Sequence, residues 1–207
     1  MNYELRIKKN KNSGFTIIET MISVSLFIII VTAGMGALLN ANLLHQKSQN
    51  MRSIMDNLSF IMEDMSNNLR TGYSYHCING SDFYGSLATP LSGTNCWGIA
   101  FEYQNGSQTD SNDQWVYFID NSGKIWKSTQ GPYVNPPINY VQLTPDEVTI
   151  DVGASGFSVL GAESPRATVP DFQQPFVTIR LKGKITYNNT ETPFSLQTSI
   201  SQRGVDR

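Results

Sequence analysis

A chain of 207 residues can bury one sizeable core with an accessory element, but not two full domains. Its formal net charge of −2, with no basic run beyond the N-terminus, argues against a nucleic-acid-binding surface. Glycine, serine, threonine and asparagine crowd the sequence after residue 72, which suits a turn-rich β structure.

The first 13 residues carry Arg6, Lys8, Lys9 and Lys11 against Glu4, a local charge of +3; with −2 overall, the remainder carries −5. A basic segment ahead of an apolar run is the cytoplasmic flank of a membrane helix by the positive-inside rule. A secretory signal would set its small residue after a short apolar stretch, whereas Gly14 comes before a long one. From Phe15 to Leu44 the only ionisable side chain is Glu19, and roughly 20 apolar residues suffice to cross a bilayer. A simple uncleaved anchor has this length too, but it has no use for the acid. A carboxylate near the centre of a membrane helix costs about 2.5–3.5 kcal/mol, and such residues are functional by default. Cleavage after Gly14 would give Glu19 a partner. The new α-amine on Phe15 would lie about one helical turn away, in the same chain or a packed neighbour. Glu19 would then stand in the first turn, where the helix dipole favours negative charge.

The segment "KNSGFTIIETMISVSL" resembles the N-terminus of type IV prepilins and type II secretion pseudopilins. The resemblance implies that a prepilin peptidase cleaves after Gly14 and methylates Phe15. It also implies that Glu19 pairs with the N-terminal amine of an adjacent subunit during filament assembly. Implied partners are the prepilin peptidase, other pilin subunits and an inner-membrane assembly platform. The implied location is the cytoplasmic membrane before assembly, then a pilus or a periplasmic or extracellular filament. A proline common in major pilins is replaced here by Gly36, with Gly34 close by. Each glycine weakens a helix by about 1 kcal/mol relative to alanine, so the pair could supply the same local softness. Ala33, Ala37 and Ala41 offer the other reading, a small-residue face that lets helices approach closely. Both readings imply helix–helix assembly rather than a lone anchor, and Gly34 and Gly36 are expected to take part in it.

The helical pattern continues past the apolar run. Met51, Ile54, Met55, Leu58, Ile61, Met62, Met65 and Leu69 recur at three- and four-residue steps, with no proline or glycine until Gly72. The expectation is one helix from Phe15 to about Thr71. Residues 15–44 form its membrane and assembly half, and residues 45–71 form an amphipathic half whose stripe docks on a core. Residues 1–14 are the leader, and 72–207 a β-rich head.

In the head the period changes to two. Ile99, Phe101 and Tyr103 alternate with Ala100, Glu102 and Gln104. Residues 114–128 read as two strands around Asn121-Ser122-Gly123. Val148, Ile150 and Val152 mark another strand, Val177 to Tyr187 a long one, and Phe194 to Ile200 the last. The simplest arrangement is α+β: a single antiparallel sheet laid across the helical stripe. The size, "LTPDEVTIDV" and "FSLQTSISQR" resemble the larger minor pilins and J-type pseudopilins more than a compact major subunit.

Cys77 and Cys96 are the only cysteines. A head outside the cytoplasmic membrane meets oxidising conditions that favour a bridge between them; the alternative is two buried thiols. With His76 alone beside them they lack a fourth zinc ligand, so no metal and no cofactor are expected. Asp110, Asn112 and Asp113 lie in an oxygen-rich loop of the kind calcium favours. The glycine and final glutamate of an EF-hand are missing, so a solvated turn is expected. Trp97, Trp115, Tyr117 and Trp126 follow the strand pattern and read as core rather than a sugar-binding face. No nucleophile, metalloprotease or phosphate-loop motif occurs, and neither His45 nor His76 is partnered as a catalytic base. The function expected is that of a minor-pilin-like structural subunit. The alternatives are a pseudopilin of a secretion or DNA-uptake machine and a single-pass anchored binding protein. The mature N-terminus separates the last from the others.

Overall fold

The computed structural model describes residues 14–80, 89–110, 112–131, 139–164, 172–187 and 190–203. The leader expected over 1–14 therefore lies, apart from Gly14, outside the described residues. The chain divides into two compact units, Met1–Ser48 and Gln49–Arg207. Helix α1, Ile17–Thr71, contributes to both.

In the first unit α1 carries apolar side chains on all sides, and they are exposed almost throughout. Its four hydroxyl side chains between Ile17 and Leu39 all turn back onto the helix. Thr20 donates to the Ile17 carbonyl at 2.8 Å, Ser23 to Glu19 at 2.8 Å, Ser25 to Met21 at 2.8 Å and Thr32 to Ile28 at 2.8 Å. Such back-bonding leaves no polar atom of these residues asking for water, as a helix in hydrocarbon requires.

In the second unit the stripe of α1 is buried as its spacing predicts: Ile54, Leu58, Ile61, Met62, Met65 and Leu69. Among the described residues ten strands follow: β1 Tyr73–Ile78, β2 Gly93–Cys96, β3 Gly98–Glu102, β4 Gln114–Ile119, β5 Ile125–Ser128, β6 Val141–Gln142, β7 Val148–Ile150, β8 Gly156–Leu160, β9 Phe176–Tyr187 and β10 Thr190–Ser201. They make two antiparallel sheets rather than the one expected. The first has the order β1-β3-β4-β5-β6; the second has the order β10-β9-β8-β2, with β7 also paired to β9. Strand β10 runs along the whole of one edge of β9, from Thr190 opposite Tyr187 to Ser201 opposite Phe176. The other edge is shared by β8, over Phe176–Arg180, and β7, over Gly183–Ile185. The core joins the stripe to Ile99, Phe101 and Tyr117 of the first sheet and Phe157, Ile179 and Leu181 of the second. Alternation explains which side of each strand faces it.

The first sheet is not bare on its other face. Ile78, Ala100, Val116 and Phe118 form a second, smaller cluster there, with Trp97, Trp126 and Tyr140 packed around it. Glu102 shares that face with Ala100, and its cross-strand partner Gln114 shares it with Val116. Both are completely buried.

Candidate functional site

Within the first unit, Gly14 precedes the helix, and a Cβ built on it would meet nothing within 4 Å. Phe15 is 81% exposed. Thr16 caps the helix: its carbonyl accepts the Glu19 N–H at 3.1 Å and the Thr20 N–H at 3.2 Å, and its hydroxyl also accepts from the Glu19 N–H at 3.3 Å. Thr16-Ile17-Ile18-Glu19 has the spacing of a capping box, a signal present in the sequence that fixes Glu19 at the third helical position. The Glu19 carboxylate has neither a hydrogen bond nor an ion pair among the described residues. Gly34 and Gly36 lie in unbroken helix with open space where a side chain would be. The helix is long and apolar enough to cross a membrane, and none of its most apolar window is buried. An exposed apolar surface of this extent marks a contact with lipid or with other protein.

In the second unit a polar seam fixes the stripe against the first sheet. Asp64 of α1 receives Lys127 Nζ at 2.9 Å, the Tyr117 hydroxyl at 3.1 Å and Asn68 Nδ2 at 3.0 Å. Lys127 Nζ also lies 4.7 Å above the Trp115 ring. Burial, then the neighbouring Asp64 charge, raises the Tyr117 hydroxyl above its ordinary value, so it stays a donor.

Cys77 and Cys96 form a disulfide, with their Cα atoms 5.5 Å apart, and both are fully buried. It ties β1 of the first sheet to β2 of the second. Both strands are irregular nearby, with Ser74 at φ 54° and Asn95 at φ 58°, so each chain swings to meet the bridge. Gly93 packs against Cys77 so closely that a Cβ there would collide with its sulfur. His76 is buried beside the bridge, and its Nδ1 lies 2.7 Å from the Thr89 carbonyl.

The aromatics do not line one surface. Trp115 stacks on Tyr103 at 4.4 Å, Trp97 meets Phe118 edge-on at 6.1 Å, and Trp126 donates to Asp120 at 3.0 Å. Of the acidic loop, Asp110 accepts from Asn112 as a turn would. Asp113 departs from the solvated turn expected. Its Oδ2 accepts the Ser107 N–H at 2.8 Å, while its Oδ1 is buried. Sequence reasoning missed Glu102, which alternation had assigned to the face opposite the core. Burial, against a nearby Gln114 and next to Asp113, pushes its carboxyl up to about 7. No group of three or more His, Cys, Asp or Glu among the described residues is placed to hold a metal ion.

Neither a curated protein nor a solved structure matches the chain. Residues 9–35 match the prokaryotic N-terminal methylation motif, and the chain therefore carries the prepilin-type signature of type IV pilins and pseudopilins.

Proposed function

We propose that this chain is a structural subunit of a type IV pilus, a minor pilin by its size, made as a precursor and matured at the membrane. Prepilin peptidase removes residues 1–14 by cutting the Gly14–Phe15 bond and methylates the new amine of Phe15. The mature chain then leaves the bilayer through an inner-membrane assembly platform and joins other pilin subunits through residues 15–44. The observation that carries this reading is Glu19: an acid without a partner among the described residues, in the first turn of an otherwise apolar and exposed helix, four residues after an exposed Phe15. A buried acid in a lipid-like filament core is tolerable only beside a positive group. The amine freed at Phe15 is the nearest cation that processing supplies, because the same cut discards Arg6, Lys8, Lys9 and Lys11. Support for a structural rather than catalytic role comes from the methylation motif and from side chains spent on packing.

The test is the mass of the protein recovered from its own membrane. A chain beginning at N-methylated Phe15 is the expected result. A chain retaining Met1 in cells with active prepilin peptidase would replace this reading with a plain membrane anchor.

A further inference from the structure

Where β3 hands over to β4, four oxygen atoms find no hydrogen bond among the described residues: Glu102 Oε1 and Oε2, Asp113 Oδ1 and Gln114 Oε1; the Gln114 Nε2 donor beside them is unmet as well. Each is buried, and Glu102 and Gln114 are 0% exposed. They belong to one place. Glu102 and Gln114 are directly opposed across the strands, and Asp113 adjoins Gln114. The loop closes over them at Gly106, where an added Cβ would stand 2.9 Å from Glu102 Oε2. The loop is itself held down. The Tyr73 hydroxyl donates to the Gly106 carbonyl at 2.6 Å, and the Ser107 N–H engages the other Asp113 oxygen at 2.8 Å. A buried polar atom without a partner is costly, and two carboxylates buried side by side are worse, because their charges repel. A single shared proton joins one pair of oxygens and the Gln114 amide can serve one more, which leaves the rest bare. A cation is the one group that several such oxygens can share.

We propose that the β3–β4 hairpin binds one calcium ion through Glu102, Asp113 and Gln114. Every donor is a hard oxygen, which excludes metals that demand sulfur or imidazole. Glu102 offers both oxygens from one side chain, a bidentate grip that suits calcium's six to eight ligands. Magnesium requires near-ideal octahedral geometry and sheds its water reluctantly, so it fits this lopsided donor set poorly. With two carboxylates and one amide the protein supplies only part of the shell, and water entering from the loop side completes it. The site is separate from the membrane helix and does not depend on how the N-terminus is processed.

The experiment uses the full chain in mild detergent at pH 8, stripped of divalent ions. Equilibrium dialysis with radioactive calcium measures binding directly, and melting curves are recorded with calcium chloride, magnesium chloride or neither. The wild type should bind one calcium per chain. At a calcium concentration 100-fold above Kd its Tm should rise by about 5–10 °C. Magnesium should give less than half of that. Glu102→Gln and Asp113→Asn, which keep size and shape, should each weaken binding at least tenfold. If Glu102→Gln fails to fold, Asp113→Asn and wild-type dialysis still decide. Absence of calcium binding by the wild type overturns the proposal, as does binding that survives both substitutions. So does a chain stabilised by lowering the pH and indifferent to calcium, because the pair then shares a proton instead.

Discussion

A single carboxylate, Asp120, closes the turn that joins β4 to β5. It accepts the Lys124 N–H at 2.8 Å, the Ser122 hydroxyl at 2.7 Å and the Trp126 indole N–H at 3.0 Å. Burial alone would raise this carboxyl, but the three donors outweigh it and hold it below its ordinary value. The stabilisation is therefore present above the unfolded-state value and is lost as the pH falls through the lower folded-state value. Asp120→Ala should cost about 1–3 kcal/mol near neutral pH. The gap from wild type should shrink as the pH drops below the ordinary carboxylate range. Urea midpoints of both chains in detergent, taken at pH 7 and in acid, check this. A gap that widens in acid would contradict the assigned sign. Next to it Gly123 adopts φ +74°, and a Cβ there would run into the Ile150 carbonyl, so the turn accepts little but glycine.

Among the elements, the disulfide has the clearest consequence, because it joins strands of different sheets. In the chain-entropy model, bridging a loop of about 20 residues contributes roughly 3 kcal/mol. Replacing Cys77 and Cys96 together by alanine should lower the Tm of the full chain by about 6–12 °C. A fall of less than a couple of degrees would mean that burial alone holds the sheets together. The elements also differ in how far the sequence betrayed them. The stripe from Ile54 to Leu69 was legible because a 3.6-residue period survives in a long window. Strands β3, β4, β5, β7, β9 and β10 were legible through alternation. Strand β1 was not, because four successive residues, Tyr75–Ile78, are buried and erase the period. Strand β2 reads as a loop: Gly-Thr-Asn-Cys has a strand's position but not its chemistry. The division into two sheets was invisible for a different reason. Alternation reports which face a strand buries, not which neighbour it takes, and β8 finds β2 across some sixty residues. Glu102 was misread by the same rule, since a sheet covered on both faces gives an alternating strand no solvent side. Gly14, Phe15 and Glu19 were conspicuous because their chemistry clashes with their surroundings, and no fold was needed to see it.

At the scale of the whole molecule the two units obey opposite rules. Residues Gln49–Arg207 bury their apolar side chains within the chain, whereas the described part of Met1–Ser48 exposes nearly all of them. The second arrangement is stable only when something else supplies the covering, which on the proposed function is first lipid and then neighbouring helices. Apolar contact between such helices is nearly indifferent to sliding, because lipid and leucine are alike to a hydrocarbon side chain. A charge is not indifferent. An unpaired acid in that setting costs about 2.5–3.5 kcal/mol, so on the proposed assembly each misaligned docking would be disfavoured roughly a hundredfold relative to one that pairs Glu19. Glu19→Ala removes the acid and, on that proposal, the preference for one register. It leaves Gly14, Phe15 and the basic leader intact, so maturation should proceed normally. The expected outcome is a mature chain that accumulates in the membrane, with incorporation into sheared filaments reduced at least tenfold. Glu19→Gln should behave like Glu19→Ala, because it keeps the shape and loses the charge. Glu19→Asp should fall between, with the charge kept but withdrawn by one methylene. Immunoblots of filament and membrane fractions separate these outcomes. Equal incorporation of all three variants would mean that packing alone sets the register, and that the acid at the head of this helix has some other purpose.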